Sequence, residues 1–196
     1  MSNIIIYMKS YFKKLRNIKG FTLIELLVVI GILGILAAAL IATIDPFEQL
    51  KKGRDTTTRN TALEYLNALT RYYATHGAFP WDVGVTGCTA PTANPAPLLS
   101  ASSVSPCTLA LETEGELKSG FNTAIGNSGV DDLVRVQTTA AAASNVSLCF
   151  SPTSKSIKAD ASTQYSSACN GVISSACDTL TERQAAADGV CWQLFR

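Results

Sequence analysis

The stretch FTLIELLVVIGILGILAAALIATI, residues 21–44, contains one ionisable side chain, Glu25. As an α-helix it would extend about 36 Å at about 1.5 Å per residue, enough to cross the roughly 30 Å hydrocarbon core of a bilayer with some tilt. A helix buried in a small soluble domain is the alternative, but such helices seldom stay apolar on every face over this length. We therefore predict a transmembrane helix over residues 21–44.

The residues before this stretch form a basic leader. Residues 1–20 contain no acidic side chain and the basic side chains Lys9, Lys13, Lys14, Arg16 and Lys19. The leader therefore carries +5 and the remainder of the chain −4, although the whole chain is only +1. Basic residues beside a span favour the cytoplasmic side, so we expect a single-pass protein with its N-terminus in the cytoplasm. The sequence has no second basic patch that would indicate a nucleic-acid partner.

The cysteine residues agree with an outer location for the remainder. All six follow the apolar stretch, at Cys88, Cys107, Cys149, Cys169, Cys177 and Cys191. An even number of cysteines beyond a membrane-targeting segment is typical of a disulfide framework, and six cysteines allow about 15 pairings. We expect a bridge between Cys88 and Cys107 and leave the other pairs open. A zinc site is the competing interpretation, but the sequence has no Cys-x-x-Cys pair and a single histidine, His76.

Removal of a secretory signal peptide is an alternative to a permanent span. Residues 37–39 are alanines that imitate a small-x-small cleavage site, and a cut there would release a domain that starts within residues 37–42. Signal peptides have an apolar region of about 7 to 15 residues, which is shorter than the stretch found here. The stretch also contains a carboxylate near its start. Both features favour a retained helix.

The entrance to the apolar stretch carries the most specific motif of the chain. After the basic leader it reads Gly20-Phe21-Thr22-Leu23-Ile24-Glu25. This hexapeptide resembles the cleavage and methylation site of type IV prepilins and type II secretion pseudopilins, and the resemblance covers about residues 1–80. It implies that a prepilin peptidase cuts between Gly20 and Phe21 and that the new Phe21 amine is methylated.

Glu25 places a carboxylate inside the predicted span, at a cost of about 2.5–3.5 kcal/mol at the bilayer centre and less near the interface. The resemblance implies that this glutamate pairs with the charged Phe21 amine of a neighbouring subunit during filament assembly. A buried pair of this kind sets register more than it adds stability. The alternative is that Glu25 reaches the lipid headgroups from one turn inside the span.

A strip of small residues follows the motif along the predicted helix. Its members recur at near-helical spacing and are Gly31, Gly34, Ala38 and Ala42. Small residues let helices approach closely in lipid, so the strip predicts a packing surface between subunits. The general enrichment of glycine in membrane helices is the alternative explanation.

A second helix is predicted to follow at once. Asp45, Pro46 and Glu48 suit the N-cap, first and third positions of a helix, so we expect a kink or a restart at Pro46. Apolar side chains then recur every three or four residues, which predicts an amphipathic helix over residues 45–77 that packs on a sheet. These side chains are Ala62, Tyr65, Leu66, Leu69, Tyr72 and Tyr73. His76 and Gly77 suit its C-terminus.

The remaining residues, 78–196, are predicted to form an α+β head. Residues 83–111 contain no charged side chain and several prolines, which is typical of a loop. The expected elements are a helix at 109–121, a strand at 132–137, a hairpin of 146–150 with 156–159, and an edge strand at 191–195. We expect a C-terminal loop bounded by Cys169 and Cys191, and the resemblance implies that this loop faces neighbouring subunits or adhesion targets. Together with the resemblance, this implies a pilin-like fold with a long N-terminal helix, whose second half packs on a small antiparallel sheet in a disulfide-containing head.

Calcium is the one cofactor that the head suggests. Asp178, Glu182 and Asp188 are its candidate ligands. They lack the dense acidic spacing of a known calcium loop, so solvated surface charge is the favoured interpretation and we expect no cofactor.

The sequence contains no phosphate loop, nucleophile elbow or Ser-x-x-Lys pair, so we do not expect an enzyme. The favoured class is a filament subunit of a type IV pilus or a type II secretion pseudopilus, held in the cytoplasmic membrane and then assembled at the cell surface or in the periplasm. The resemblance implies prepilin peptidase, other pilin-like subunits and, indirectly, an assembly ATPase and platform proteins as partners. The alternatives are a non-assembling single-pass surface protein and a secreted disulfide-rich binding domain.

Overall fold

The structure is a computed structural model that describes residues 20–138, 145–160, 164–166, 169, 172–185 and 191–195. The basic part of the leader, residues 1–19, lies outside the described residues. The chain divides into two compact units, Met1–Asp45 and Pro46–Arg196. The apolar stretch belongs to the first unit, and all six cysteines belong to the second.

Helix α1 (Leu23–Thr43) contains the apolar stretch. Leucine and alanine favour a helix intrinsically, and valine and isoleucine are tolerated in one. Every residue of α1 is exposed. It is the one helix in the described part of the chain that is long and apolar enough to cross a membrane. An apolar helix without cover of its own needs lipid or protein around it.

The helix is interrupted after Thr43, because the backbone of Ile44 is extended, with φ −102° and ψ 120°. Helix α2 (Pro46–His76) then begins directly after Asp45. A proline at the first helical position lacks an N–H that would be unpaired there, and its fixed φ suits the start of a helix. The chain therefore restarts at Pro46, which is one of the two outcomes that the sequence predicts.

Helix α2 buries one face in the head. The buried side chains are Asp55, Thr58, Ala62, Tyr65, Leu66, Ala68, Leu69 and Tyr72. Tyr73 was expected on this face but is 36% exposed, because it lies at the border of the stripe and packs against Phe79 with ring centroids 4.9 Å apart. The helix ends at His76 as predicted, and Gly77 turns the chain with a positive φ of 71°.

Among the described residues there are four further α-helices, all short, and one turn of 3-10 helix at Ser175–Cys177. The α-helices are α3 (Ser105–Thr113), α4 (Phe121–Ser128), α5 (Lys155–Lys158) and α6 (Leu180–Ala185). The single helix predicted over residues 109–121 is wrong. Gly115 and Gly120 adopt positive φ values of 77° and 84°, so the chain turns between α3 and α4 where a continuous helix would need negative φ.

The described strands form one antiparallel sheet in the order β1-β2-β4-β3. They are β1 (Val134–Thr138), β2 (Val146–Phe150), β3 (Tyr165–Ser166) and β4 (Trp192–Phe195). Leu148 lies opposite Val136 on one side and Phe195 on the other. Helix α2 packs on β2. This arrangement confirms the predicted α+β fold with a helix on a small antiparallel sheet.

The main core of the head lies between α2 and the sheet. Tyr65 and Leu69 of α2 are fully buried there with Leu148 and Phe150 of β2. Leu111 of α3 joins the same cluster. Each fully buried side chain of this size stabilises the fold by about 1.5–3 kcal/mol relative to an exposed one.

One strand prediction is wrong, and a second is right in its residues but wrong in its place in the sheet. Residues 155–158 form α5 and not the second arm of a hairpin, because Asp55 of α2 binds the backbone N–H groups of Thr153 and Ser154 and directs the chain away from β2. The strand predicted at 191–195 is present as β4, but it is not an edge strand, because β4 lies between β2 and β3. Strand β3 has only two residues, which is too short for a recognisable alternation in sequence.

Three disulfides connect the head. Their pairs and Cα distances are Cys88–Cys107 at 4.9 Å, Cys149–Cys169 at 6.0 Å and Cys177–Cys191 at 5.8 Å. The first is the pair that the sequence suggested. The predicted loop bounded by Cys169 and Cys191 is wrong in its ends, because these two cysteines belong to different bridges. One bridge ties Cys169 back to strand β2, and the other closes the segment that leads into β4.

Candidate functional site

The predicted cleavage bond lies in exposed, non-helical backbone. Gly20, Phe21 and Thr22 precede the first residue of α1, and Phe21 is 85% exposed. Thr22 is the N-cap of the helix, with an extended backbone at φ −76° and ψ 150°. A protease needs an extended, accessible strand of substrate, and exposed segments outside regular structure supply one. The local structure is therefore compatible with a cut between Gly20 and Phe21.

Glu25 and Thr22 form a reciprocal cap at the start of α1. The Thr22 N–H and the Thr22 hydroxyl both donate to Glu25 Oε2, each at 2.8 Å. The Glu25 N–H donates to Thr22 Oγ1 at 3.3 Å. These bonds satisfy backbone donors that an uncapped helix start would leave to solvent.

The cap is a role for Glu25 that the sequence predictions missed. Thr22 followed three residues later by Glu25, just before an apolar run, is the sequence signature of a capping box. The signal is therefore present in the hexapeptide, although the sequence predictions assign the carboxylate only to an intermolecular pair or to the lipid headgroups. In the described structure Glu25 is held by its own chain, close to the residue that cleavage would expose.

Gly20 is a glycine that local folding does not require. Its φ lies outside the left-handed region, and no atom of the described residues comes within 4 Å of a Cβ placed on it. Gly77 and Gly129, in contrast, have positive φ values of 71° and 68° and occupy turns. Because the described structure has room for a side chain at Gly20, the glycine agrees with recognition by another molecule.

The strip of small residues lies on an open helix surface. A Cβ added at Gly31 or Gly34 would meet no atom of the described residues within 4 Å, and Ala38 and Ala42 are exposed. Glycine inside a helix costs about 1 kcal/mol relative to alanine. The strip is therefore unexplained by packing within the described chain and suits contact with a second helix.

Residues 15–41 match the family model of the prokaryotic N-terminal methylation motif. The chain carries a prepilin-type motif. The match includes Gly20, Phe21 and Glu25 and extends through most of α1. No curated protein and no solved structure matches the chain significantly.

The prepilin-type motif supports a type IV pilin-like or pseudopilin subunit that is anchored in a membrane by its N-terminal apolar helix. It indicates a structural subunit and gives no support for an enzyme. The α+β head with its long first helix of residues 46–76 and its antiparallel sheet agrees with that assignment.

The candidate calcium ligands do not form a site in the described structure. Glu182 accepts hydrogen bonds from the Thr179 N–H at 3.2 Å and the Thr179 hydroxyl at 2.8 Å, so it caps α6. Asp188 lies outside the described residues. Among the residues that are described, no three potential metal ligands cluster together.

His76 lies at the C-terminal end of α2. Its Nδ1 is 3.2 Å from the carbonyl oxygen of Tyr72, and its ring stacks on the Tyr72 ring with centroids 4.0 Å apart. Its Nε2 is 3.9 Å from Glu114 Oε2. These contacts agree with the predicted role at the end of the helix, where free backbone carbonyls need donors.

Two tyrosines of the head have strongly perturbed acidities. Burial raises the pKa of Tyr65 to about 12, and a hydrogen bond from the Thr108 hydroxyl at 3.4 Å opposes part of that shift. Burial also raises the pKa of Tyr165 to about 12, while the positive charge of Arg183 lowers it. Both groups lie in packed parts of the head, so they report on folding more than on chemistry.

Proposed function

We propose that this chain is the precursor of a structural subunit of a type IV pilus or a type II secretion filament. The observation that carries the proposal is the prepilin-type motif at residues 15–41, which coincides with the start of an exposed apolar helix. The precursor is held in the cytoplasmic membrane by α1, with the basic leader in the cytoplasm and the head outside.

Maturation begins at the exposed entrance to α1. Prepilin peptidase hydrolyses the peptide bond between Gly20 and Phe21, and the freed Phe21 amine is then N-methylated. The open surroundings of Gly20 and the extended backbone of Thr22 support access to this bond. The leader is lost, and the apolar helix remains on the mature subunit.

Assembly then uses Glu25 and the new amine. The carboxylate of one subunit pairs with the Phe21 amine of its neighbour inside the filament, where both are removed from water. Removing one partner of a buried pair costs about 3–5 kcal/mol, because the other charge is left without compensation. The pair therefore selects subunits that have been cut and placed in register.

The proposed filament contains this chain with copies of itself or other pilin-like subunits. The strip with Gly31 and Gly34 supplies the close contact between helices. The open space around these two glycines supports this role. An assembly ATPase and platform proteins act on the cytoplasmic side and move the subunit out of the membrane. The filament ends at the cell surface or in the periplasm.

Mass spectrometry of the mature N-terminus tests this proposal. The expected product starts at methylated Phe21. A chain that still starts at Met1 would identify a permanently anchored surface protein, and a start within residues 37–42 would identify a secreted domain.

A glycine substitution assigns the cut to its proposed site. Gly20→Ala is expected to leave the full precursor in the membrane, because the peptidase recognises the glycine. Gly31→Ala is the matched control, since it replaces another open glycine and leaves the cleavage bond untouched. Equal processing of the two variants would contradict the assignment of Gly20.

A further inference from the structure

The start of helix α2 presents apolar and cationic side chains together. Phe47 is 74% and Leu50 is 67% exposed. Lys51 and Arg54 are exposed and share one helical face with them, since positions 47, 50, 51 and 54 follow helical spacing. Lys52 is a neighbouring exposed cation. An aromatic and a leucine beside basic side chains are typical of a helix that lies at a lipid headgroup layer.

The acidic side chains of the same helical segment are engaged elsewhere. Asp55 is 4% exposed and accepts hydrogen bonds from the Thr153 N–H at 2.9 Å, the Thr153 hydroxyl at 2.9 Å and the Ser154 N–H at 2.7 Å. Glu48 accepts a hydrogen bond from the Lys155 N–H. Both carboxylates therefore face the chain around residues 153–155. The exposed face of residues 47–54 is left cationic.

A groove of about 400 Å³ continues from this face along α2. Leu50, Gly53, Arg54 and Thr57 form its helical side, and Val130 with Leu133 forms part of the opposite side. This volume is within the usual range of small-molecule sites, about 300–1,000 Å³.

Gly53 keeps the floor of the groove open. Glycine is a poor helix former, and no atom of the described residues lies within 4 Å of a Cβ placed there. Packing within the described head therefore does not require a glycine at this position. An elongated ligand that lies along the helix would fill this space.

The covalent chain keeps this surface near the membrane. The apolar stretch ends at Ile44, and only a short segment of chain separates Ile44 from Leu50. Helix α2 rises only about 1.5 Å per residue along this segment. Each headgroup layer of a bilayer is about 5–8 Å thick. Lysine and arginine side chains reach several ångströms back along their helix, so the cations lie within reach of lipid phosphates.

We propose that residues 47–54 and the groove beside them bind an anionic phospholipid of the outer leaflet. Lys51, Lys52 and Arg54 contact the headgroup phosphate, and the apolar walls at Leu50, Val130 and Leu133 receive part of an acyl chain. The site rests on the membrane anchoring in the proposed function. It holds the base of the head against the bilayer before the subunit is withdrawn into a filament.

Charge favours a lipid over a second copy of the chain as the occupant. The apolar helix of another copy carries one charge, Glu25, which the proposed function already assigns to an amine. The exposed cations of residues 51–54 would remain unpaired against such a helix, whereas a phosphate matches them. Asp131 and Asp132 belong to the opposite loop but do not line the groove.

Hydrogen exchange in vesicles tests the site with the full chain. The protein is reconstituted into phosphatidylcholine vesicles and into vesicles with equal parts of phosphatidylcholine and phosphatidylglycerol. The amides of residues 47–54 are expected to exchange more slowly with phosphatidylglycerol. Arg54→Gln is expected to reduce this difference about fivefold, and Lys51→Gln/Arg54→Gln about thirtyfold, since each basic side chain near an anionic surface contributes a factor of about five.

Matched variants test whether lipid binding needs this site or only positive charge and apolar surface elsewhere on the head. Lys118→Gln removes an exposed cation of the head outside the groove and is expected to leave the difference unchanged. Gly53→Leu fills the groove. This variant is expected to lower the amount of phosphatidylglycerol that stays bound to the extracted protein, as measured by native mass spectrometry. Thr56→Leu adds a leucine at an exposed position of α2 that does not line the groove, and retention is expected to persist.

Three results would overturn the lipid site. Equal exchange in the two kinds of vesicle would remove the preference for anionic lipid. Slowing in phosphatidylcholine vesicles that increases with the protein-to-lipid ratio would identify a second copy as the occupant, and slowing by added inorganic phosphate would identify a free anion. Methylation of Phe21 is measured separately, so failure of the lipid site and failure of the proposed function are distinguishable.

Discussion

Apolar side chains are covered in opposite ways in the helix of residues 23–43 and in the head of residues 46–196. Every residue of α1 is exposed, and the side-chain capping bonds at its N-terminus join Thr22 and Glu25. The head buries a core of its own and closes it with three disulfides. The first region therefore depends on lipid or on another protein for its cover, while the second is stabilised by its own contacts.

The largest effect is expected where the first region meets its partner. Glu25→Gln removes the charge that the proposed amine pair needs, but glutamine still accepts the capping bond. We expect filament yield to fall by a hundredfold or more, corresponding to about 3–5 kcal/mol for a broken buried pair. Sedimentation of sheared filaments measures the yield, and methylated Phe21 in the same cells shows that processing is intact.

Thr22→Ala is the matched variant, because it removes the cap and keeps the carboxylate. Loss of an N-cap costs about 0.5–2 kcal/mol, so its effect on assembly should be clearly smaller than that of Glu25→Gln. If the two variants lose assembly in the reverse order, capping and not charge is the role of Glu25.

The next largest effect belongs to the head. Replacing Cys149 and Cys169 with serine opens a bridge with a sequence separation of 20, and we expect the head to lose about 3 kcal/mol of unfolding free energy. Thermal unfolding followed by circular dichroism measures the loss. Methylation of Phe21 should remain at the wild-type level, because the cleavage bond lies in the other unit. Loss of methylation in this variant would show that the two regions are not independent.

A smaller effect is expected from the carboxylate that ties α2 to residues 153–154. Asp55→Asn removes the negative charge from a buried acceptor of several hydrogen bonds, so we expect the head to lose about 2 kcal/mol. Urea unfolding of this variant is compared with that of Glu64→Gln, an exchange on the same helix at an exposed side chain. Equal midpoints for the two variants would contradict the role of Asp55.

The smallest effect concerns Tyr65 and depends on pH. The pKa of Tyr65 is about 12 in the folded head and about 10 in the unfolded chain. Its contribution to the unfolding free energy is therefore fully present below pH 10 and is lost as the pH rises through 12. Tyr65→Phe should change the unfolding free energy by less than about 1 kcal/mol at neutral pH. The same variant should lose less unfolding free energy above pH 10 than the wild type does. Unfolding free energies measured from pH 8 to 12 test this, with Tyr73→Phe as the surface control. An unchanged alkaline slope would contradict the assignment.

Local patterns in the sequence predicted the parts of the molecule that local interactions determine. Composition alone indicates the span, and three- and four-residue spacing indicates α2 up to His76. The hexapeptide at residues 20–25 falls within the matched methylation motif because its residue types and their order are specific, and the cut between Gly20 and Phe21 stays a prediction. The capping bond between Thr22 and Glu25 is equally local and was recognisable from the same residues.

The strand and disulfide errors arose where distant residues decide the structure, whereas the wrong helix over residues 109–121 has a local cause in the turns at Gly115 and Gly120. The turn into α5 depends on Asp55, which is 98 positions before Thr153 in the chain. The central place of β4 depends on pairing with the two residues of β3, which have no detectable pattern. Two of the three disulfides likewise join segments whose proximity follows from the sheet order, which periodicity does not report.

The reciprocal cap at Thr22 and Glu25 has an electrostatic consequence for the mature chain. The N-terminal end of a helix carries a partial positive charge of about half an elementary unit, from its aligned peptide dipoles. Cleavage before Phe21 would add an ammonium group one residue from that end, so two like charges would lie together. Every atom of the cap lies on the retained side of the cut, so the carboxylate of Glu25 is already placed to offset both charges when the amine forms.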